Sequence, residues 1–173
     1  MIICGYAGIG KSYLAEHLPN VMDLESTPFE KDWERYAKCA IHYSRQGRLV
    51  LVSCHKELRE ILNKELRFDE RITIVPNVND KEWYKEKYTQ RGNTQTFIDM
   101  QMNNWEKWLD EGKNRFIGEH WEVLEPHENL YDWLKRFSKK EPYHFCTYDN
   151  CPVYPNCIDM DDRCINPLKK YIK

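Results

Sequence analysis

A lysine and a serine near the start of the chain follow a group of closely spaced glycines. Residues 5–12 read Gly-Tyr-Ala-Gly-Ile-Gly-Lys-Ser and fit the pattern G-x-x-x-x-G-K-[ST]. Glycines let successive backbone N–H groups point into one concavity that can hold phosphate oxygens. Lys11 would reach the β- and γ-phosphates of a nucleotide, and the Ser12 hydroxyl would be a ligand for Mg²⁺. The predicted nucleotide-binding residues are Gly5, Tyr6, Ala7, Gly8, Ile9, Gly10, Lys11, Ser12 and Tyr13.

The hydrophobic pattern places this loop between a strand and a helix. Residues 1–4 form a short apolar run that ends at a glycine, and a helix is predicted over 11–18. Other strands are predicted at 20–24, 49–53, 72–75 and 121–124. Helices are predicted between and after them at 28–46, 55–64, 81–90, 96–111 and 129–137. This alternation predicts an α/β fold with a mostly parallel sheet that is covered on both faces.

Length and charge narrow the classes of partner. The 173 residues suit one domain, and 26 basic against 28 acidic side chains give a formal net charge of −2. This balance does not favour nucleic acid or an anionic membrane as the partner, although the net charge would not reveal a local patch of basic residues. No apolar run is long enough to span a bilayer, and the first residues lack a secretory leader. We therefore expect a cytoplasmic monomer or homodimer.

The loop and the order of elements over residues 1–138 resemble a small P-loop kinase. The resemblance is to the nucleoside monophosphate, shikimate and gluconate kinase group, and also to short P-loop kinase-like proteins of bacteriophages. It implies a three-layer α/β/α sandwich whose five-stranded parallel sheet has the order 2-3-1-4-5. It also implies a lid between the fourth and fifth strands, and transfer of the ATP γ-phosphate to a small acceptor.

Two acidic residues follow the second predicted strand. Asp23-Leu24-Glu25 resembles the Asp-x-Asp of shikimate and gluconate kinases, with a side chain one methylene longer at the second acid. The resemblance assigns Asp23 as the base for an acceptor hydroxyl or as a ligand of Mg²⁺-bound water, and Glu25 as an acceptor-binding residue. Alternatively, these carboxylates lie in an acidic loop that caps the next helix through Ser26 or Thr27.

Cations follow the third predicted strand. The stretch that contains His55, Lys56 and Arg59 loosely resembles a segment of gluconate kinases, and these side chains would face the acceptor. An acceptor that bears a phosphate or carboxylate would suit such a group. Charged side chains on a helix that are simply solvated are the alternative.

An arginine interrupts two predicted helices within residues 88–95. This segment resembles a short lid, and Arg91 occupies the place of the lid arginine, which would neutralise charge on the transferred phosphoryl group. An ordinary helix end, with Gly92 as its stop, is the alternative.

The third predicted strand, 49–53, ends in serine and lacks the terminal aspartate that a motor ATPase or GTPase would use for Mg²⁺. Its absence favours a kinase that uses the acids after the second strand. A nucleoside monophosphate is the first choice of acceptor, and a sugar acid or a hydroxyl on nucleic acid is the alternative. A nucleotide-binding regulatory module with little turnover is the hypothesis from a different class.

The composition changes after residue 138, so residues 139–173 are predicted to be a separate Cys-rich extension. It holds Cys146, Cys151, Cys157 and Cys164, with His144 just before them. Four thiolates, or three with the histidine, could form a structural Zn²⁺ site. Their spacing differs from paired CxxC knuckles, so free thiols and disulfides stay open as alternatives.

Overall fold

The structure, a computed structural model, describes residues 1–139. In that range five parallel strands form one sheet. They are β1 (Ile2–Gly5), β2 (Val21–Asp23), β3 (Leu49–Ser53), β4 (Arg71–Val75) and β5 (Trp121–Val123). The strand order is β2-β3-β1-β4-β5. The predicted α/β class, the parallel sheet and its order are therefore confirmed.

Helices connect the strands and follow the last of them. They are α1 (Lys11–His17), α2 (Trp33–Arg45), α3 (Lys56–Glu65), α4 (Lys81–Gln90), α5 (Gln95–Asn103), α6 (Trp105–Leu109), α7 (Glu111–Asn114) and α8 (Leu130–Lys139). Short 3-10 turns lie at Thr27–Phe29, Phe68–Glu70 and Val78–Asp80. Across residues 1–139, every helix is too short or too polar to cross a membrane.

The sheet separates two hydrophobic cores. Ile3 and Leu51 pack on the side that carries α1, α4, α5, α6 and α8. Ile2 and Val50 pack on the opposite side, against α2 and α3. Successive side chains of a strand point to opposite faces, so β1 and β3 need apolar residues at every position once helices cover both faces. The described part of the chain thus has three layers.

The carboxyl ends of the strands position the residues that could do chemistry. Gly5 at the end of β1 is paired in register with Ser53 at the end of β3. Asp23, at the end of β2, lies beside Leu51 of β3. Because parallel strands end at the same edge of a sheet, the segments after β1, β2 and β3 emerge next to one another.

Two predicted helices differ from the structure. The helix predicted over 28–46 starts only at Trp33, because Glu30 and Lys31 have φ angles of 49° and 68° that a right-handed helix excludes. Asp32 then caps α2 by accepting from the backbone N–H of Arg35 at 3.0 Å.

The helix predicted over 96–111 is divided into α5, α6 and α7. Its apolar spacing continues across the breaks, which is why the pattern reads as one helix. The backbone leaves the helical range at Asn104, with φ −106° and ψ 5°, and at Asp110, with φ −68° and ψ 100°. These breaks turn the chain back towards β5.

Candidate functional site

A cleft of about 1040 Å³ lies at the carboxyl edge of the sheet. Its lining comes from the segments after β1, β2 and β3 and from α4, α5 and α6. It includes most of the predicted site residues, namely Gly5, Tyr6, Ala7, Gly8, Gly10, Lys11, Ser12, Tyr13, Asp23, Glu25, His55, Lys56, Arg59 and Arg91. Residues chosen from four separate stretches of sequence therefore share one cavity. Ile9 is the exception, because its side chain is fully buried in the core.

The glycine loop, residues 5–12, has a backbone that other residues would not accept. Gly8 and Gly10 have φ angles of 81° and 102°. A Cβ added at Gly5 would lie 2.8 Å from Ile9 Cδ1, and one added at Gly8 would lie 2.8 Å from Tyr88 Cε1. Glycine is thus required here both by conformation and by close approach.

The ammonium of Lys11 lies over the loop that precedes it. Its Nζ donates to the carbonyl oxygens of Gly5 and Tyr6 at 3.0 and 3.1 Å. Burial lowers the pKa of Lys11 from its ordinary value of 10.5, the carboxylate of Asp23 opposes this shift, and the charge of Arg91 adds to it. Both hydrogen-bond acceptors are neutral, so the charge of Lys11 is available to an anion.

A hydroxyl and a carboxylate meet beside the loop. Ser12 Oγ donates to Asp23 Oδ2 at 2.7 Å. The other oxygen, Asp23 Oδ1, is buried and has no hydrogen-bond partner among residues 1–139. The alternative, in which this loop caps the next helix through Ser26 or Thr27, is not what the structure shows, because Asp32 caps α2 and Ser26 makes no side-chain cap hydrogen bond at the 3-10 turn that follows it.

This pair of oxygens suits a hard cation such as Mg²⁺. Within residues 1–139, no group of three or more His, Cys, Asp or Glu side chains is placed to hold a metal ion by itself. Mg²⁺ commonly takes one or two protein oxygens and completes its shell with substrate phosphates and water. Ser12 and Asp23 fit that mode of binding.

A tyrosine of α2 holds the ends of β2 and β3 together. The hydroxyl of Tyr36 donates to the carbonyl of Leu24 at 2.5 Å and accepts from the backbone N–H of Ser53 at 3.1 Å. Burial raises the pKa of Tyr36 to about 12, so it stays a donor at neutral pH. This bond fixes the chain just after Asp23.

Arg91 reaches the cleft from the end of α4. Its backbone N–H donates to Lys87 O at 3.0 Å, and Gly92 follows with a φ of 72°, which is the geometry of a helix C-terminus. The segment between α4 and α5 is short, and its other end is capped by Thr94, which accepts from Phe97 N. Arg91 therefore ends a helix, as the alternative predicts, and it also lines the cleft, while its role as a lid arginine stays a prediction.

The glycine loop, the Ser12–Asp23 pair and Arg91 thus line one cleft. The chain matches no protein-family model, and no curated protein or solved structure is similar to it. A function must therefore be inferred from the residues and their geometry.

Lys87 also lines the cleft, although the sequence pattern does not single it out as a site residue. Burial lowers the pKa of Lys87, and the charge of Arg91 lowers it further. Its Nζ lies 3.9 Å from the ring centroid of Trp83, a cation–π contact. The available signal was helical spacing, because Lys87 and Arg91 are four residues apart and share one face of α4.

His55 and Lys56 lie at the start of α3 and line the cleft. The ring of His55 packs on Trp33, with 4.7 Å between centroids, and its Nδ1 is 2.8 Å from Ser53 Oγ. Burial lowers the pKa of His55, Glu57 opposes this shift, and the nearby charges of Lys11 and Lys31 add to it. His55 is therefore a neutral hydrogen-bonding group at neutral pH, and the exposed Lys56 carries the cation of this stretch.

Arg59, which the sequence predicts to face the acceptor, lines the cleft but is bound in a buried ion pair. It is 4% exposed, and its Nη1 lies 2.8 Å from both carboxylate oxygens of Glu119, which is 2% exposed. Its Nη2 donates to Asn114 O at 3.1 Å, and its guanidinium lies 5.1 Å from the ring of Trp121. Its charge is compensated, so it forms part of the cleft wall rather than a mobile anion-binding group.

Several further cleft residues carry no signal in the sequence. They include Gln101, Trp108, Asn114, Trp121 and Asn129. They come from α5, α6, α7, β5 and the residue before α8, and they line one cavity only because the chain folds. The tryptophans have core-like spacing, which hides that their rings also border the cleft.

The Cys-rich extension lies outside the described residues, apart from its first residue. The predicted Zn²⁺ ligands Cys146, Cys151, Cys157 and Cys164, and His144 before them, belong to that part of the chain. Among residues 1–139, the cysteines Cys4, Cys39 and Cys54 are free thiols. Burial raises the pKa of Cys54 to about 11, so it is not a thiolate at neutral pH.

Proposed function

We propose that this protein is a P-loop kinase that moves the γ-phosphate of ATP to a small acceptor, with a nucleoside monophosphate as the first candidate. The observation that carries the proposal is the meeting of Lys11, Ser12 and Asp23 at the glycine loop. An ammonium that is hydrogen-bonded only to neutral carbonyls, beside a glycine-rich backbone, suits phosphate oxygens. A hydroxyl–carboxylate pair next to it suits the cation that accompanies ATP.

Some of these residues would bind the phosphates of ATP, and others would bind the Mg²⁺ ion. Lys11 would exchange its contacts to the carbonyls of Gly5 and Tyr6 for the β- and γ-phosphate oxygens. Ser12 would be an Mg²⁺ ligand, and Asp23 would bind the ion or its water. The bound ion would supply neutralisation of phosphate charge.

The transfer of the phosphoryl group depends more on alignment of the two substrates and on neutralisation of charge than on a catalytic base. An oxygen of the acceptor phosphate forms a bond to the γ-phosphorus, and the bond from that phosphorus to the bridging oxygen of ADP breaks, with its electron pair leaving on ADP. An ionised phosphate oxygen carries no proton, so a nucleoside monophosphate requires no base. Arg91 would neutralise charge on the moving group, and Lys56 would attract the acceptor phosphate. With a hydroxyl acceptor, Asp23 would instead take the proton.

A binding module with little turnover is the second candidate. It is favoured by the end of β3, where Ser53 stands beside Gly5 and bonds His55 rather than presenting a carboxylate. Such a module would use Lys11 for nucleotide binding but would transfer no phosphate.

The test is phosphate transfer from γ-labelled ATP, with Mg²⁺, to a panel of acceptors. The panel holds nucleoside monophosphates, nucleosides, sugar acids and a DNA oligonucleotide. We expect one class to be labelled, with nucleoside monophosphates first. Unlabelled acceptors, together with ATP binding that requires Lys11, would contradict the kinase and support the binding module.

A further inference from the structure

Buried polar atoms without partners collect on the wall of the cleft. Six of them belong to cleft-lining residues and find no hydrogen bond within residues 1–139: Tyr6 Oη, Asp23 Oδ1, Arg59 Nε, Asn93 Oδ1, Gln101 Oε1 and Trp121 Nε1. An unpaired buried polar group costs about 1–3 kcal/mol. Their concentration at one cavity indicates that a ligand supplies the missing partners.

Gln101 is the clearest example of a buried polar side chain whose oxygen lacks a partner within residues 1–139. It is 6% exposed, it lines the cleft from α5, and its Oε1 has no partner among the described residues. A leucine would fill the same volume without the penalty of an unpaired amide. The amide is therefore unexplained by packing alone.

Aromatic rings border the same cavity. Phe97 lies four residues before Gln101, on the same face of α5, and both line the cleft with Trp108 and Trp121. These rings present flat apolar surface. The guanidinium of Arg59 lies 5.1 Å from the ring of Trp121, but its charge is compensated by Glu119. Lys11 and Arg91 reach the cleft from the glycine loop and from the end of α4. A neutral amide among aromatic rings suits the uncharged planar part of an acceptor, not its phosphate.

We propose that Gln101 reads the base of a nucleoside monophosphate acceptor, an inference that rests on the proposed function and names its specificity-determining residue. A glutamine amide offers an adjacent hydrogen-bond acceptor and donor, and this pair matches a base edge such as N6–H and N7 of adenine. The aromatic rings contribute stacking or edge contact to the base. Trp121 Nε1 provides a further donor on the same wall.

The test is calorimetric binding to the full chain without ATP. The probes are AMP, GMP, CMP, TMP and ribose 5-phosphate, which has the phosphate but no base. We expect at least one nucleotide to bind about tenfold or more tightly than ribose 5-phosphate. Gln101→Leu should weaken that nucleotide by about 5- to 150-fold, the range for a bidentate base contact, and should leave ribose 5-phosphate unchanged.

Two further variants keep the test decisive. Gln101→Glu retains the shape but replaces the donor by an acceptor, so it should also reduce the preference for the favoured base even if the leucine variant folds poorly. Gln95→Leu, at an exposed position of the same helix, should change no affinity.

The inference is overturned if ribose 5-phosphate binds as tightly as every nucleotide, or if both Gln101 variants keep the wild-type preference. Because no ATP is present, a failure of phosphate transfer would count against the kinase proposal and not against base reading by Gln101. The two proposals therefore fail in different experiments.

Discussion

Lys11 and Arg59 are cations that line one cleft, yet their charges are handled in opposite ways. Lys11 donates to two neutral carbonyls of the loop that it belongs to. Arg59 is bound by the carboxylate of Glu119, which also accepts from Thr73 Oγ1 at 2.6 Å and from the backbone N–H of Phe116 at 2.9 Å. Lys11 can exchange its partners for an anion, whereas Arg59 cannot do so without leaving Glu119 unpaired.

The contrast teaches that a cation next to a cavity is not by itself an anion-binding group. The role of such a cation depends on its hydrogen-bond partner. A neutral partner can be exchanged for an anion, whereas a buried carboxylate cannot be left without its cation. Lys11 should therefore matter for activity and little for stability, and Arg59 should matter for stability first. The following predictions test that division, from the largest expected effect to the smallest.

The largest expected effect is on stability at Arg59. Arg59→Met leaves Glu119 as an unpaired buried carboxylate, and breaking such a pair typically costs about 3–5 kcal/mol of unfolding free energy. Urea denaturation measures the loss. The double variant Arg59→Met, Glu119→Leu should recover much of it, and Arg45→Met, at an exposed site, should change little. A loss below about 1 kcal/mol in the single variant would show that the pair does not hold the wall.

Lys11→Met should reduce activity and leave stability largely unchanged, in contrast to Arg59→Met. We expect phosphate transfer to fall by about 100- to 1,000-fold, as when one charge-stabilising donor is removed from a transition state. Burial lowers the pKa of Lys11, so between the folded-state pKa and 10.5 the unfolded chain binds more protons, and stability rises with pH there. At lower pH the charged ammonium opposes folding, and its removal should leave the melting temperature equal or higher.

The control for this prediction is Lys38→Met, an exposed lysine of α2. It should retain both activity and melting temperature. If Lys11→Met lost stability as Arg59→Met does, the two cations would not differ in the way that their partners indicate.

The same contrast explains how much the sequence could predict. The glycine loop is contiguous, so its residue types and spacing carry the chemistry, and β3 and α4 match their predicted bounds because their patterns are local. Arg59 precedes Glu119 by 60 residues and meets Glu119 and Trp121 only through packing. No spacing rule links them, which is why Arg59 reads as a free cation beside His55 and Lys56.

Backbone conformation accounts for the other differences. Glu30 and Lys31 are ordinary helix formers by type, and their positive φ angles are set by the turn after β2 rather than by propensity. The division of the predicted 96–111 helix likewise depends on how α6 and α7 return to β5. The sequence does not single out Gln101, because what distinguishes it is a buried oxygen without a partner among residues 1–139, and a sequence does not display partners.

Asp23→Asn should give an intermediate effect on the metal requirement. The amide keeps the shape but loses the charge, so we expect the Mg²⁺ concentration for half-maximal transfer to rise by about 10- to 100-fold. The hydrogen bond with Ser12 can persist, so stability should change by less than about 1 kcal/mol. An unchanged Mg²⁺ dependence would mean that Asp23 does not bind the ion or its water, and Glu25→Gln, at an exposed position nearby, would be the next variant to titrate.

The smallest effect is expected where α4 supports the glycine loop. The hydroxyl of Tyr88 donates to Ala7 O at 2.9 Å, and its ring blocks any side chain at Gly8. Tyr88→Phe removes the hydrogen bond but keeps the ring, so the unfolding free energy should fall by about 1 kcal/mol. Because the carbonyl of Ala7 then lacks its restraint, the KM for ATP should rise a few-fold while kcat stays close to wild type. The control is Tyr43→Phe, which lies on α2 outside the cleft lining and should change neither KM nor kcat. A fall in kcat with KM unchanged would place Tyr88 with Lys11, among the groups that act on the transferred phosphate, rather than with Arg59, among those that hold the cleft in shape.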